Sequence, residues 1–301
     1  MGIPFQRGSL LYDQKRYAMA AEEFRKELSQ NPNSGVALSM LALSLTYDHK
    51  NKEGIEQAKA AIAANPQRAF AHYALACAIV GPPLGWSKVR SFRLFRATGR
   101  MLAYRRRIRK AKSAAMEAIR LDPRNPDYLA LMSGISLDLR RPKEALRWAS
   151  EGLQAQADHV RCTNLRGRAL AKLGRVHEAR EAVQSALALA PQSATTHASS
   201  AWTHLQTGDA NRAVEHFTES VRLNPTDVNV QQGLKTARRA ASRTARTFSG
   251  IGMIGWASYL AIRAASTSKD SGTGIFLSIV FAALAILWFV RFWRRRKRGS
   301  A

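Results

Sequence analysis

Little in this sequence points to chemistry. The 301 residues contain two cysteines, Cys77 and Cys162; they match no metal-ligand spacing and read as buried thiols in a reducing compartment. Acidic side chains are also scarce, with 21 Asp+Glu against 47 Lys+Arg and a formal net charge of +26. Paired acids such as Glu22 and Glu23 read as exposed, solubilising helix positions, not general acid–base groups. There is no phosphate-cradling Gly-rich loop, no G-x-S-x-G and no H-E-x-x-H, so the reading is non-enzymatic, with no cofactor and no metal. His197, His204 and His216 lack a neighbouring carboxylate or thiol at a recognisable ligand spacing and read as surface or packing histidines. Met1–Leu10 has no continuous apolar core of the signal-peptide kind, and Gln6 stands where an acylation signal needs Ser or Thr. The N-terminal part is therefore expected in the cytoplasm.

What is present in quantity is helical pattern. The stretch Leu165–Pro191 reads as a two-helix hairpin: apolar residues recur at three- and four-residue spacing on either side of a helix-breaking Gly174, and Pro191 ends the second run. Gly167 and Ala179 are small enough to let the two backbones approach. Such a pair cannot bury its apolar face alone, which makes a repeat the natural expectation.

The prolines supply the period. Pro32 to Pro66 and Pro191 to Pro225 are each 34 residues, and Pro123 to Pro191 is 68, with Ala157 in the silent slot. A 34-residue helix–turn–helix period resembles the tetratricopeptide repeat. In that register the small residue of the first helix is Gly8, Ala42, Ala76, Ser133, Gly167 and Ala201. That of the second helix is Ala20, Gly54, Ala111, Ala145, Ala179 and Ala213, followed four residues later by Phe24, Ala58, Ala115, Ala149, Val183 and Phe217. The expected architecture is all-α: a tetratricopeptide-like α-solenoid of six repeats over residues 1–227, with a C-terminal transmembrane helical hairpin. Pro4 and Arg7 predict a short or frayed first helix, and residues 228–247 a capping helix and basic juxtamembrane linker.

Pro66 to Pro123 is 57 residues, so the third repeat carries an insertion, placed at residues 81–107 between a first helix at Ala69–Val80 and a second at Arg109–Leu121. At 100° per residue Arg90, Arg93, Arg96 and Arg100 share one face, and Phe92 and Phe95 fall on the other, with Trp86 nearby. A basic amphipathic helix of this kind suits an anionic membrane surface. The competing reading packs Trp86, Phe92 and Phe95 back on the solenoid.

Two apolar stretches follow. Gly274–Val290 is uncharged, and residues 274–293 reach about the 20 needed to span a bilayer; residues 248–265 are weaker, with several glycines and Arg263. Basic flanks before the first stretch and after the second (the tail, 294–301) favour a hairpin with both ends in the cytoplasm. The three basic stretches at 88–112, 235–246 and 291–298 hold 22 of the 47 Lys/Arg, which favours anionic lipid over nucleic acid as the partner of this charge. The expected location is the cytoplasmic membrane of a bacterium, the source hinted at by Ala- and Arg-rich usage, with repeats and tail in the cytoplasm.

The resemblance implies that first helices line a concave binding face. The family positions that would do so carry Arg161, Asn164, Arg168 and Lys172 in the fifth repeat, and Ser39, Leu43, Phe70 and Tyr73 in the second and third. Together they would suit a protein or peptide partner with an acidic end and an apolar body. Alternatively Arg161 and Arg168 pair with Asp127, Asp138 or Glu178. The expectation is a membrane-anchored scaffold, against two other readings: an anionic-lipid-binding organiser of membrane, or a nucleic-acid tether.

Overall fold

A computed structural model describes residues 2–81 and 100–242, the side chains of 100–103 excepted. Among the described residues all regular structure is helical: α1 (Ile3–Asp13), α2 (Tyr17–Gln30), α3 (Gly35–Tyr47), α4 (Asn51–Ala64), α5 (Ala69–Val80), α6 (Arg100–Leu121), α7 (Pro126–Asp138), α8 (Pro142–Ala155), α9 (Val160–Lys172), α10 (Val176–Leu189), α11 (Ala194–Gln206), α12 (Ala210–Leu223) and α13 (residues 228–242). The first twelve form six consecutive hairpins within a compact unit, Met1–Ala237; a second unit is Arg238–Ala301.

The 34-residue rhythm is written into the helix ends. Ser34, Asn125, His159 and Ser193 cap α3, α7, α9 and α11 by accepting a backbone N–H with a side-chain atom. Asp227 does the same for Asn229 and Val230 at the start of α13. Each cap satisfies one of the amide donors that a helix start leaves unpaired, typically worth ~1 kcal/mol. Pro142, the irregularity of the fourth repeat, occupies the first turn of α8, where its missing N–H costs nothing.

Inside each hairpin the small residues meet. Ala42, Ala76, Ala201, Ala20, Ala111, Ala145, Ala179 and Ala213 are all fully buried. The Ser133 hydroxyl donates to the Ala145 carbonyl oxygen at 2.8 Å, a direct contact between the paired small positions of α7 and α8. At Gly8 an added Cβ would stand 2.8 Å from the Phe24 ring; that ring fills the space the glycine leaves. Phe24 and Phe217 are completely enclosed, each side chain contributing roughly 1.5–3 kcal/mol by leaving water. On the last hairpin α13 lays Val230, Leu234 and Ala237 against Ala201, Ala213 and Phe217, with Trp202 partly buried beside them.

Two expectations need correction, and the expected short first helix is observed. The second helix of the third repeat is already formed at Arg100, ahead of Arg109, so the described end of the insertion is continuous helix; no residue that would break it lies between the two positions. The first helix is 11 residues long, two fewer than α3, α7, α9 and α11, and Pro4 sits in its first turn. Glu23 is buried, not exposed, and pairs with Lys26 at 2.6 Å and Arg7 at 3.9 Å. Among the described residues no helix is long and apolar enough to cross a membrane; the stretches 248–265 and 274–293 lie outside them, as does the tail. Trp86, Arg90, Phe92, Arg93, Phe95 and Arg96 also lie outside, and of Arg100 the backbone alone is described.

Candidate functional site: a tyrosine- and arginine-lined groove on the first helices

Side chains from four successive repeats converge on one guanidinium. Arg161 on α9 donates from Nη1 to the Tyr73 hydroxyl oxygen on α5 at 3.2 Å. Tyr12 of α1, Tyr47 of α3 and Tyr73 of α5 all lie within electrostatic reach of Arg161 on α9, so the row of first helices curves inward. The surface so formed is concave. Arg161 has protein on most sides and still reaches solvent, as expected deep in a groove.

Aromatic rings pave the floor. Tyr73 stacks on Phe70 at 6.1 Å between centroids and tilts against Tyr128 of α7 at 5.0 Å. Farther toward the N-terminus Tyr12, Tyr17 and Tyr47 form a triangle with centroid separations of 5.4, 6.0 and 5.0 Å. Contacts at these separations are each worth about 0.5–1.5 kcal/mol beyond area burial. Burial raises the phenols of Tyr12, Tyr47 and Tyr73 above their ordinary range and pushes those of Tyr104 and Tyr128 up to about 12. They are thus neutral hydroxyls at physiological pH. Cys77, beneath Tyr73, is pushed up to about 11 by burial, as is Cys162; both thiols are free and buried.

The charges of the groove are arranged along α7 and α9. The His159 ring on Asp127, at 3.4 Å, is the largest influence holding that carboxyl below its usual range, and Arg161 adds to it. Burial raises the carboxyl of Asp138, opposed by Arg168 and by a hydrogen bond from Tyr104. Burial lowers both Arg168 and Lys172, and in Lys172 the neighbouring Arg168 and Arg140 add to the effect. Asp127 and Asp138 are thus the acids beside Arg161 and Arg168, by electrostatic proximity; neither arginine makes a direct ion pair among the described residues.

Of the residues singled out in the sequence, Arg161, Phe70 and Tyr73 are brought together here and Arg168 lies alongside, but the Tyr73 ring is itself buried in the core and only Phe70 is half-open. Asn164 is tied to the next repeat, its Nδ2 donating to Thr196 Oγ1 at 3.3 Å. Leu43 is not a surface residue: it is 3% exposed and packs in the main core with Ala42 and Ala58. Ser39 is likewise buried, with its hydroxyl turned back to the Gly35 carbonyl at 2.7 Å. The sequence reading missed Tyr12, Tyr17 and Tyr47; the signal was their recurrence close to the end of α1, the start of α2 and the end of α3.

The fold is an all-α helical-repeat solenoid, tetratricopeptide-like. Residues 164–228 match the family model described as tetratricopeptide repeat. Among solved structures the chain is similar to the APC/C hetero-tetramer Cut9-Hcn1, at 16% identity over 78% of this chain and 42% of that one, with a TM-score of 0.58. It is similar also to pilF of Pseudomonas aeruginosa, at 17% identity over 76% and 94% of the two chains, with a TM-score of 0.50. At these identities the likeness is one of fold. No curated protein matches the chain by sequence.

Proposed function

We propose that the chain is a membrane-anchored scaffold that recruits a protein partner into the groove of its first helices. The observation that carries this reading is the convergence of Tyr73 and Arg161 across two repeats: it brings a charged donor to a cluster of rings of which Phe70 and Tyr47 are half-buried. An extended segment with apolar or aromatic side chains would lie on Phe70, Tyr47 and Tyr17, and its acidic residues would accept from Arg161 and Arg168 by charge-assisted hydrogen bonds. A protein of like fold, in the Cut9-Hcn1 hetero-tetramer, is itself part of a protein assembly.

The anchor rests on sequence: the uncharged run 274–290, the weaker run 248–265, and the basic residues flanking both. Tethering a groove near a bilayer raises the local concentration of whatever it holds without any new contact. The basic insertion, with Trp86, Phe92, Phe95 and its arginines, would lie on anionic lipid beside the anchor.

Two measurements test the parts separately. In alkaline carbonate extraction the full chain stays with membranes and a chain ending at residue 247 is released; release of the full chain would remove the anchor from the account. Co-purification from solubilised membranes with the Arg161→Glu, Arg168→Glu double variant, checked for unchanged helicity, loses the partner that the native groove retains. An unchanged partner set would remove the groove.

A further inference from the structure

The last repeat brings together three histidines that its sequence spacing leaves unconnected. His197 and His204 lie two turns apart on α11, and His216 of the antiparallel α12 enters between them. His204 stacks on His216 with centroids 5.3 Å apart and planes at 14°, and His197 Nδ1 stands 3.3 Å from His216 Nδ1. His197 and His216 are half-buried and open to solvent; His204 is 4% exposed. We propose that His197 and His216 bind one divalent transition-metal ion of the zinc, nickel or copper class through their two Nδ1 atoms, with water completing the coordination shell.

Two features of the geometry support this. First, metal–nitrogen bonds of about 2.0–2.1 Å in a tetrahedral shell hold neighbouring ligand nitrogens about 3.3 Å apart, which is the separation found. Second, His197 Nε2 lies 2.9 Å from the Pro191 carbonyl oxygen. A carbonyl can accept and not donate, so Nε2 carries the proton, and in the neutral ring Nδ1 is left as a lone pair. Metal-binding imidazoles are commonly oriented in this way by a backbone carbonyl on the far nitrogen.

Without metal, the proton of His216 Nδ1 is donated to His197 Nδ1. With metal, that proton moves to Nε2 of His216, so two neutral imidazoles face the ion and none is lost to solvent. Glu215, beside His216, puts negative charge near the added cation, whereas Glu219 is paired with Arg222 at 2.6 Å. Imidazole nitrogen selects this metal class over magnesium and calcium, and the expected affinity order rises from nickel to copper and falls to zinc. The ligand set is the pair: the described residues contain no cluster of three or more side chains arranged to hold a metal, and His204 Nδ1 is buried, 4.0 Å from Asp209.

The experiment is a calorimetric titration of the untagged full chain with Zn²⁺ at pH 7.5. One ion binds per chain, affinity drops at least about tenfold in His197→Ala and in His216→Gln, and His177→Ala, at an exposed histidine of α10, leaves it unchanged. Diethyl pyrocarbonate footprinting of the native chain needs no variant: zinc protects His197 and His216 among the seven histidines. Absence of binding at millimolar zinc, binding that survives both substitutions, or protection confined to other histidines would each overturn the site.

Discussion

Arg161 and Tyr73 are 88 residues apart in sequence and share a hydrogen bond of 3.2 Å. The bond connects the third repeat to the fifth over the top of the fourth and so reports the curvature of the row. If it helps to hold that curvature, the two side chains are energetically coupled. A double-mutant cycle of Tyr73→Phe and Arg161→Gln, followed by urea denaturation, gives a coupling of about 0.5–1.5 kcal/mol, because the arginine remains partly solvated. A coupling of zero would make the contact incidental to the groove.

The turns between paired helices carry a second prediction. Lys15, His49 and Arg140 have φ of 61°, 64° and 60°, and Gly174 and Gly208 have 77° and 86°; these are the same turn position in five of the repeats. Left-handed backbone costs a residue with a Cβ roughly 1–2 kcal/mol. Glycine at positions 15, 49 or 140 relieves that strain but adds about 0.4–1 kcal/mol of unfolded-state freedom. Each substitution is thus expected to raise stability by up to about 1 kcal/mol, and Gly174→Ala to lower it by a similar amount. Chemical denaturation of the single variants reads both signs.

Burial of the thiols predicts an alkaline limit. The folded-state pKa of Cys77, about 11, lies above the ordinary thiol value of 9.0, so the folded chain holds a proton that the unfolded chain loses between these values. Stability is full below pH 9 and falls as pH rises toward 11, by about 1.4 kcal/mol per pH unit for each such thiol. Cys162 behaves alike. Denaturation curves at pH 8.5 and 10 show the decline in the native chain, and Cys77→Ala makes it shallower.

The closing helix supplies the next test. An added Cβ at Gly233 would stand 2.5 Å from the Phe217 ring and 3.1 Å from Trp202, so Gly233→Val forces α13 off the last repeat. Leu234→Ala, which removes packing without a clash, should cost about 2–5 kcal/mol. Both variants are expected to bind a hydrophobic dye more strongly than the native chain, since Phe217 and Trp202 lose their cover.

The register of the solenoid was legible because it depends on residue size at fixed spacing: every small position named from the 34-residue period is buried at a helix–helix contact. Leu43 shows where that reasoning ends. Helix α3, G-V-A-L-S-M-L-A-L-S-L-T-Y, is apolar on nearly every side, so periodicity could not separate the face that meets the next helix from the face left open to the groove. The partner of Arg161 was hidden for another reason. Of the three acids the sequence offered, Asp127 and Asp138 are nearby and Glu178 pairs with Arg175 instead; the direct bond goes to a tyrosine two repeats away, and curvature is a sum of small rotations that no single repeat encodes. The contact of His197 with His216 likewise depends on the antiparallel packing of two helices. The early start of α6 was obscured by reading residues 81–107 as one block, when arginine-rich sequence has high helix propensity and continues the helix.

The central claim, that the groove of first helices holds a partner, is tested most directly by site-specific photocrosslinking in membranes that contain the full chain. A photoreactive side chain at Phe70 or at Asn164 samples the groove; one at Lys59 or Glu181, exposed on the second helices α4 and α10, samples the outer surface. The account predicts one discrete adduct common to the two groove positions and missing from the two outer ones, and its loss when Arg161 and Arg168 are changed to Glu. Adducts confined to Lys59 and Glu181, or groove adducts indifferent to the charge reversal, would contradict it.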